Sequence, residues 1–585
     1  MPSISTSRPV ALWSSRPSDW GRITPVASDW QASVVLGWHL HQPGYNLPED
    51  GPFVLPWSYL HGIGGYCDLI HRLEEDQHAR VVINFSPVLL EQLLTYSRRL
   101  QAVLTGSAER VDDRLLDALY AEILPDPATT DAAELLAFCA QQIPDWLTRT
   151  LPAAATGLAL ARTFLEDPAR RPYLPPSLLA DLLVWLHLGW CGESLHRDSD
   201  VVRSLMAQGR QFDLRQRRAL FRLIADVLDG LLPRYRRLAE RGQIELSLNP
   251  WGHPILPLLL DLDSARESIP DITLPEAAYP DGEARVVWHL NAALDTFRTV
   301  FDTRPSGVWP SEAAISQPAL DCLAKAGFAW FASSARVLPH EGAPDLVTTH
   351  GVFRHADGEL RGFFRDDGLS DLIGFIYQGW ETEPAVAHFI EQLEAIGQGH
   401  QGPAPCVITV FLDGENPWPS YPDRGWHFTR MLYRALAVHP RLQLSLFREL
   451  VSVPVVGAIP DFRAGSWVGG RLDTWIGHPD KNRAWMLLTE AAGQVRPLLE
   501  AGQFPPDKAR AIEKQLAVCE GSDWFWWMGE GHDAVAVTPF ERLFRQQLQA
   551  LYRMVGLAPP SHLFQAVSLG SRSGAGVHTM LGDEE

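Results

Sequence analysis

Short apolar runs that alternate with helical patterns are the feature of this sequence that most restricts its fold. Helical periodicity is clear over residues 283–301, where Val286, Leu290, Leu294 and Phe297 recur at intervals of about 3.6 residues. Strands that are apolar on both faces suit a parallel sheet covered by helices, which favours a barrel or a doubly wound sheet over a sandwich. Seven runs are typical of such strands, one fewer than the eight of a complete barrel, and they occupy residues 33–40, 80–86, 243–250, 306–312, 328–334, 372–378 and 406–414.

Two stretches depart from the alternation. Residues from about 100 to 240 are rich in Leu, Ala and Arg with helical spacing, which predicts a helical insertion on one barrel loop, where insertions often shape a substrate cleft. After about residue 455 the strand runs stop, and residues 481–502, 506–521 and 539–556 predict three helices of an all-α region. We therefore divide the chain into a flexible arm over 1–30, a catalytic barrel over 31–455, a helical domain over 456–565 and a flexible tail over 566–585.

Composition excludes several classes of partner. The chain has 50 Lys and Arg against 70 Asp and Glu, a formal charge of −20, and no basic stripe that would bind nucleic acid or an anionic membrane. No window approaches 18 apolar residues, and residues 1–20 lack the apolar centre of a secretory signal, so we expect a cytoplasmic protein. The 6 cysteines include no C-x-x-C pair, which argues against a thiolate zinc site or a disulfide framework.

Polar residues cluster where the predicted strands end. The first strand ends in HLHQPGY, the third in NPWGHP, the fourth in WPSE and the seventh in LDGENPW. In parallel barrels the catalytic groups project from this carboxyl-terminal mouth. These four segments therefore predict one site.

Three carboxylates are the candidates for acid and base chemistry. Glu312 follows the apolar fourth run and is expected to open a helix, so it is either a mouth carboxylate or an acid that the helix dipole favours. Asp413 and Glu415 are two apart, and burying both without partners would be costly, so one catalytic and one supporting acid is the economical solution. Glu312 and one of these acids would form the carboxylate pair of a glycosidase, whose separation decides between retention and inversion.

The histidines and tryptophans leave alternatives open. His39 and His41 share one strand face and could bind sugar hydroxyls, ligate a metal together with His253 and Asp413, or be structural. The tryptophans of residues 521–532 and 464–482 could stack on sugar rings or pack the helical region against the barrel.

Five motifs in the same order resemble those of glycoside hydrolase family 57, the α-amylase, amylopullulanase and glucan-transferase group that acts on α-glucans. They are HLHQP, NPWGHPILPLL, GVWPSEAAIS, VFLDGENPWPSY and SDWFWWMGEGH, and they span residues from about 35 to 560. The fifth departs from the family pattern at Met528 and Gly531, where Tyr and an acid are expected. The resemblance implies an incomplete seven-stranded (β/α) barrel followed by a helical domain that closes one side of the cleft.

The resemblance also implies residue roles. Glu312 would be the nucleophile and Asp413 the general acid/base of a double displacement, with Glu415 as a support and no metal or cofactor. Hydrolysis is favoured over transfer to another glucan. A metal-dependent hydrolase and an inactive glucan-binding protein remain alternatives. The residues expected to hold sugar or to stack near the cleavage point are His39, His41, Gln42, His253, Trp309, Trp467 and Asp523, and the motif residues Trp251, Glu415, Trp418 and Trp524 are assigned to the same substrate site.

Overall fold

The structure, a computed structural model, describes residues 30–126, 129–338, 349–355, 358–401, 403–459 and 462–571. The predicted N-terminal arm, apart from Trp30, and residues 572–585 of the predicted tail lie outside these ranges. Within the described residues, ten strands form one sheet. Their bounds are β1 Ala32–Leu40, β2 Val81–Phe85, β3 Ile244–Leu248, β4 Gly307–Val308, β5 Trp330–Ser334, β6 Phe353–His355, β7 Arg361–Arg365, β8 Cys406–Asp413, β9 Leu442–Leu444 and β10 Gly457–Ile459.

Seven parallel strands close into a barrel. The ring runs through β1, β2, β3, β4, β5, β7 and β8 and returns to β1. It closes between β7 and β8 at one paired position, where Arg365 lies opposite Thr409, and the Asp366 N–H donates to the Thr409 oxygen at 2.7 Å. β9 pairs with β1, while β6 and β10 extend β7 outside the ring. The prediction of a seven-stranded parallel barrel is confirmed.

Aromatic rings fill the barrel interior. The Trp309 and Phe411 rings stack at a centroid distance of 4.0 Å. Gly37 on β1 lies opposite Phe411 on β8, and a Cβ at Gly37 would stand 2.0 Å from the Phe411 ring. Glycine is therefore required there for close approach. Because inward positions alternate along a strand, the register that points Phe411 inward also points Asp413 and its neighbour His39 inward at the carboxyl end.

The strand predicted over residues 372–378 is wrong, because that segment is helical. Helix Asp367–Asp371 begins at Asp366, whose Oδ1 accepts the Leu369 N–H at 2.8 Å, and a π-helical turn and a 3₁₀ turn continue it to residue 379. The seventh barrel strand is instead β7. Its end residue Arg365 is ion-paired to Asp371 at 2.9 Å, so its charge has a partner. A short apolar run carries no period that separates a buried strand from a buried helical turn.

Helices surround the barrel between successive strands. Those of the insertion between β2 and β3 are Pro87–Leu104, Arg114–Tyr120, Thr130–Gln142, Asp145–Thr150, Pro152–Glu166, Pro176–Trp190, Glu193–Asp198, Asp200–Gln208 and Leu214–Glu240. The other barrel helices are Trp57–Ile63, Gly65–Glu75, Leu256–Leu260, Gly282–Phe301, Gln317–Lys325, Asp367–Asp371, Thr382–Gly399, Trp426–Ala437 and Phe447–Leu450. No helix in the described ranges is both long and apolar enough to cross a membrane.

The C-terminal region is helical. Its helices are Pro479–Glu500, Pro506–Cys519, Ser522–Trp527 and Ala534–Met554. Three of them match the predicted helices. The additional short helix, Ser522–Trp527, carries the fifth motif. The start of the predicted tail makes specific contacts: Val567 is buried, and the Ser568 hydroxyl accepts the Gly529 N–H at 3.0 Å. Residues 566–571 are thus packed against this helical region.

Candidate active site

The register of three neighbouring barrel strands places the first group of site residues side by side. β1 lies between β8 and β2, so His39 has Asp413 on one side and Asn84 on the other. His39 Nδ1 lies 2.7 Å from Asn84 Oδ1, and the Asn84 amide donates to the Ser247 hydroxyl at 3.0 Å. Burial, together with the nearby His41, lowers the pKa of His39 to about 3, so its ring is neutral. A hydrogen-bonded row thus crosses the mouth of the barrel beside Asp413.

Glu312 stands in a strained turn and does not open a helix. The turn Ser311–Ala313 holds Glu312 at φ 57° and Ala313 at φ 51°, both left-handed. The next helix begins later, at Gln317, with Ser316 as its N-cap. The helix-dipole explanation for this acid therefore does not apply. Non-glycine residues adopt this conformation only where surrounding contacts impose it, and such strain concentrates at functional sites.

Trp467 holds Glu312 from the side of the C-terminal region. Its indole Nε1–H donates to Glu312 Oε2 at 2.8 Å, and its backbone N–H donates to the Glu312 oxygen at 3.1 Å. The Trp467 ring also contacts Trp309 edge-on at 5.4 Å. Both the carboxylate and the backbone of Glu312 are therefore fixed by one residue.

Glu312 and Asp413 line one cavity of about 750 Å³. This volume lies within the 300–1,000 Å³ typical of small-molecule sites. His39, His41 and Glu415 line the same cavity. The two acids that the sequence pairs across the mouth therefore face a common space, and they are close enough for the charge of Asp413 to affect Glu312.

Burial keeps one proton on this pair of carboxyls near neutral pH. Burial and then the charge of Asp413 raise the pKa of Glu312 to about 8, against the opposing hydrogen bond from Trp467. Burial raises the pKa of Asp413 to about 6, against the hydrogen bond that the Asn416 amide donates to its Oδ2 at 2.7 Å. Because the two groups interact, these values describe the pair. Between pH about 6 and 8 the pair carries one proton and one charge.

Glu415 turns away from Asp413 into a set of donors. Its Oε1 accepts hydrogen bonds from the His41 N–H at 3.2 Å, the Gln42 amide at 3.2 Å and the Tyr66 hydroxyl at 3.1 Å. Burial and the charge of Asp413 nevertheless raise the pKa of Glu415 well above its ordinary value. The raised pKa favours the neutral form of Glu415, which lowers the cost of burying two adjacent acids.

Three stacked imidazoles lie beside the acids. The His41 and His253 rings are 3.7 Å apart at 16°, and the His39 and His253 rings are 5.2 Å apart at 15°. His41 Nδ1 lies 2.7 Å from the Ser86 hydroxyl, and its Nε2–H donates to Asp523 Oδ2 at 2.8 Å. His253 Nδ1 lies 4.0 Å from Glu312 Oε1. The cluster joins the first, second and fifth motifs to the nucleophile candidate.

The stacking of these rings does not suit a shared metal ion. Ligand atoms of His41, His253 and Asp523 lie within 4.8 Å of one another, which is close enough for ligation by distance alone. An imidazole binds a metal through a lone pair in its ring plane, at about 2.0–2.1 Å for zinc. Nearly parallel rings 3.7 Å apart cannot both contain one ion in their planes. The arrangement instead presents hydrogen-bonding edges to a polar ligand.

The C-terminal region supplies one wall of the site. Asp523 lies in helix Ser522–Trp527 and reaches His41, while the preceding Ser522 hydroxyl lies 2.8 Å from His253 Nδ1. The Ser522 N–H donates to the His253 oxygen at 2.9 Å. These contacts dock the fifth motif directly onto the second.

None of the five predicted substrate-site tryptophans lines the cavity. Trp309 stacks on Phe411 in the barrel interior, Trp467 is bonded to Glu312, and the other three are bonded elsewhere. Trp251 is 2% exposed and its indole donates to Glu91, Trp418 donates to the Gly414 oxygen, and Trp524 donates to the Val518 oxygen. The indoles of these last three pack the protein, and the expectation that they contact sugar does not fit their positions.

Two residues that hold the acids were not predicted from the sequence. Asn416, which lines the cavity, donates to Asp413, and fully buried Tyr66 donates to Glu415. Trp526 and Trp527, for which the sequence left sugar stacking or packing open, line the cavity near Asp523. Asn416 and both tryptophans lie inside quoted motifs, so motif membership was an available signal. Tyr66 follows Gly65 in a helix away from every motif, and the sequence carries no signal for it.

Comparisons with known proteins identify the family and the fold. A family model described as glycosyl hydrolase family 57 matches residues 35–458. The fold is similar to a GH57 branching enzyme from Thermococcus kodakaraensis, with TM-score 0.55 and 14% identity over 90% of each chain. It is also similar to an α-amylase from Thermotoga maritima, with TM-score 0.55 and 12% identity over 90% of this chain and 93% of that one. A GH57-type branching enzyme from Pyrococcus horikoshii gives TM-score 0.54 and 14% identity over 92% and 94%.

Proposed function

The chain belongs to glycosyl hydrolase family 57, and from this premise we propose that it cleaves α-glucosidic bonds of α-glucans with retention of anomeric configuration. The observation that carries the proposal is the pair Glu312 and Asp413, which line one cavity and retain one proton at neutral pH. Double displacement needs one ionised carboxylate and one carboxylic acid on either side of the bond. The pair provides both forms at once.

Each acid has a role that its contacts support. Glu312 attacks the anomeric carbon, and Trp467 stabilises its ionised form by donating a hydrogen bond to it. Asp413 protonates the glycosidic oxygen and then removes a proton from the acceptor. Hydroxyls of the sugar at the cleavage point bind the polar edges of His39, His41 and Asp523.

The proton of the pair must be on Asp413 when the bond breaks. In this structure Glu312 has the higher pKa, which is the reverse of that order. Positive charge develops at the anomeric carbon in the transition state, and it stabilises the ionised carboxylate beside it. The glycosidic oxygen likewise becomes more basic as its bond weakens. Both effects favour ionised Glu312 and protonated Asp413 as the reaction proceeds.

Transfer to a second glucan is the alternative outcome of the same chemistry. The covalent intermediate reacts with water in a hydrolase and with a sugar hydroxyl in a transferase. Similarity to two branching enzymes and an α-amylase is compatible with either. We favour hydrolysis because the third, fourth and fifth motifs resemble those of amylase and amylopullulanase members.

Product analysis tests the proposal. Purified wild type is incubated with maltoheptaose, amylose and pullulan, and the anomer formed first is identified by proton NMR. Shorter α-configured products indicate retaining hydrolysis, and longer or branched products indicate transfer. Glu312→Gln should be nearly inactive, whereas Glu283→Gln, an exposed acid outside the cavity, should match wild type. An active Glu312→Gln variant, or a β product, would overturn the assigned mechanism.

A further inference from the structure

An aromatic group formed by the first barrel helix and two insertion helices makes part of the cavity wall. Trp57 stands at the start of its helix, with Phe138 at a centroid distance of 5.6 Å and Trp190 at 5.5 Å. All three line the cavity that contains the catalytic acids, and all three are only half-buried. Phe138 and Trp190 come from separate insertion helices. The sequence motifs assign no role to these three residues.

This group, Trp57, Phe138 and Trp190, lies some way from the acids. Trp190 contacts the His61 ring at 5.3 Å, and His61 contacts the Tyr66 ring at 5.8 Å. Tyr66 in turn donates to Glu415. Two ring systems therefore separate the aromatic group from Glu415. We therefore expect a ligand that reaches from the acids to this group to extend beyond a single sugar ring.

The C-terminal region also contributes aromatic side chains to the cavity. Trp526, Trp527 and Phe540 line it, and Trp527 stacks on Phe540 at 4.5 Å and 18°. Gln141 and Gln142, at the end of the Phe138 helix, line it as well. Flat apolar rings accompanied by neutral amides match a ligand that has apolar faces and hydroxyl edges.

We propose that the group Trp57, Phe138 and Trp190 binds glucose units of the α-glucan chain beyond those that flank the cleaved bond. Trp57 is the stacking platform, and the two flanking rings hold it in position. The insertion thereby gives the enzyme a preference for longer chains. This inference rests on the proposed function, since it extends the same cleft. The occupant is a glucan because the cavity is continuous with the site of the two acids.

Chain-length dependence tests this subsite. The kcat/KM values for maltotriose and maltoheptaose are compared in wild type and Trp57→Ala. Loss of one stacking ring should lower kcat/KM for maltoheptaose about tenfold. Maltotriose is too short to span both places, so its kcat/KM should change little. Trp57→Phe, which keeps a ring, should retain most of the preference for maltoheptaose.

Control variants separate this effect from damage to the fold. Trp380→Ala removes an indole that is 40% exposed outside the cavity, and it should leave the ratio of the two kcat/KM values unchanged. If Trp57→Ala does not fold, as judged by its thermal unfolding, Phe138→Ala provides the same test from a different helix. An equal loss on both substrates, or no change in their ratio, overturns the inference.

A binding measurement distinguishes failure of this inference from failure of the proposed function. Calorimetric titration of Glu312→Gln with maltoheptaose should show binding, and addition of Trp57→Ala should raise the Kd about tenfold. Binding that is unaffected by Trp57→Ala overturns the subsite but leaves the function intact. A wild type that cleaves no α-glucan, together with no binding by Glu312→Gln, refutes the proposed function itself.

Discussion

Replacing Trp467 by Phe tests how the charge of Glu312 is controlled. The substitution removes the indole N–H that donates to Glu312 Oε2 at 2.8 Å and keeps an aromatic ring. Trp467 is 8% exposed and the Glu312 side chain 15%, so solvent replaces this bond poorly. A hydrogen bond to a charged group contributes about 1.5–3 kcal/mol, which corresponds to roughly one to two pKa units for the carboxyl.

The direction of the effect follows from the protonation states of the pair. The bond stabilises ionised Glu312, so its loss raises the pKa of Glu312 above the value of about 8 in wild type. The alkaline limb of kcat/KM should therefore move up by about one to two pH units. The acidic limb reports loss of the Asp413 proton while Glu312 is still protonated, so it should stay near pH 6. The plateau value of kcat/KM should fall about tenfold for each unit by which the pKa of Glu312 rises, because fewer molecules then hold the proton on Asp413.

The assay is the pH profile of kcat/KM from pH 4 to 10 on maltoheptaose. Trp526→Phe is the control, since Trp526 lines the same cavity but is not bonded to Glu312. Its limbs should coincide with those of wild type. If the alkaline limb of Trp467→Phe does not move while activity falls, Trp467 acts by packing and the argument about Glu312 is refuted.

Three further predictions follow from buried groups near the site. Glu415→Gln should change kcat by about threefold or less, because burial raises the pKa of this carboxyl and favours its neutral form, whereas Asp413→Asn should lose about 10²–10⁴-fold as a general acid. Equal losses in steady-state assays would contradict the supporting role of Glu415. Glu520→Gln should cost up to about 3–5 kcal/mol in urea unfolding, because it removes the carboxylate that fully buried Arg285 contacts at 2.7 Å and leaves Arg285 only the ion pair with Glu513, while the exposed Glu500→Gln should be neutral. Arg285 holds the pKa of Glu520 well below its ordinary 4.5 despite burial. The contribution of this ion pair to the free energy of unfolding should therefore be present above pH 4.5 and decrease as the pH falls. A loss of stability in Glu520→Gln that is independent of pH would contradict this. Dialysis against EDTA should leave kcat unchanged, since the stacked histidines do not fit a shared ion, and activity restored only by added metal would contradict that reading.

The barrel shows which strands the local hydrophobic pattern of the sequence can predict. Six of its seven strands are short apolar runs that the alternation with helical segments identifies. β7 was missed from the sequence because this strand has an arginine at each end. Only the folded chain shows that Asp371 forms an ion pair with Arg365. Residues 372–378 were misread because a short apolar run has no distinguishing period, and in the structure only Ile373 and Tyr377 of this run are buried. Asp366, the N-cap of the preceding helix, was the sequence signal for helix there.

The tryptophans show that the sequence does not determine which side chains line the site. Trp251 and Trp418 share motifs with candidate site residues, yet their indoles donate to Glu91 and to the Gly414 oxygen, away from the cavity. Trp57 belongs to no motif and lines the cavity. Residue type and motif membership do not fix the direction of a side chain, because that direction depends on the local backbone and on the neighbours that pack against it.

The sequence by itself indicated parallel strands covered by helices, the helical insertion, the C-terminal helices and the strand ends that carry the polar motifs, because hydrophobic periodicity and chain order are local properties. The family resemblance implied that the strands close into a seven-stranded barrel. Tertiary structure alone decided that Glu312 lies in a left-handed turn bonded to Trp467, that burial raises the pKa of Glu415, and that Asp523 reaches His41. Protonation and strain depend on burial and on partners more than a hundred residues away, and those are brought together only when the barrel closes.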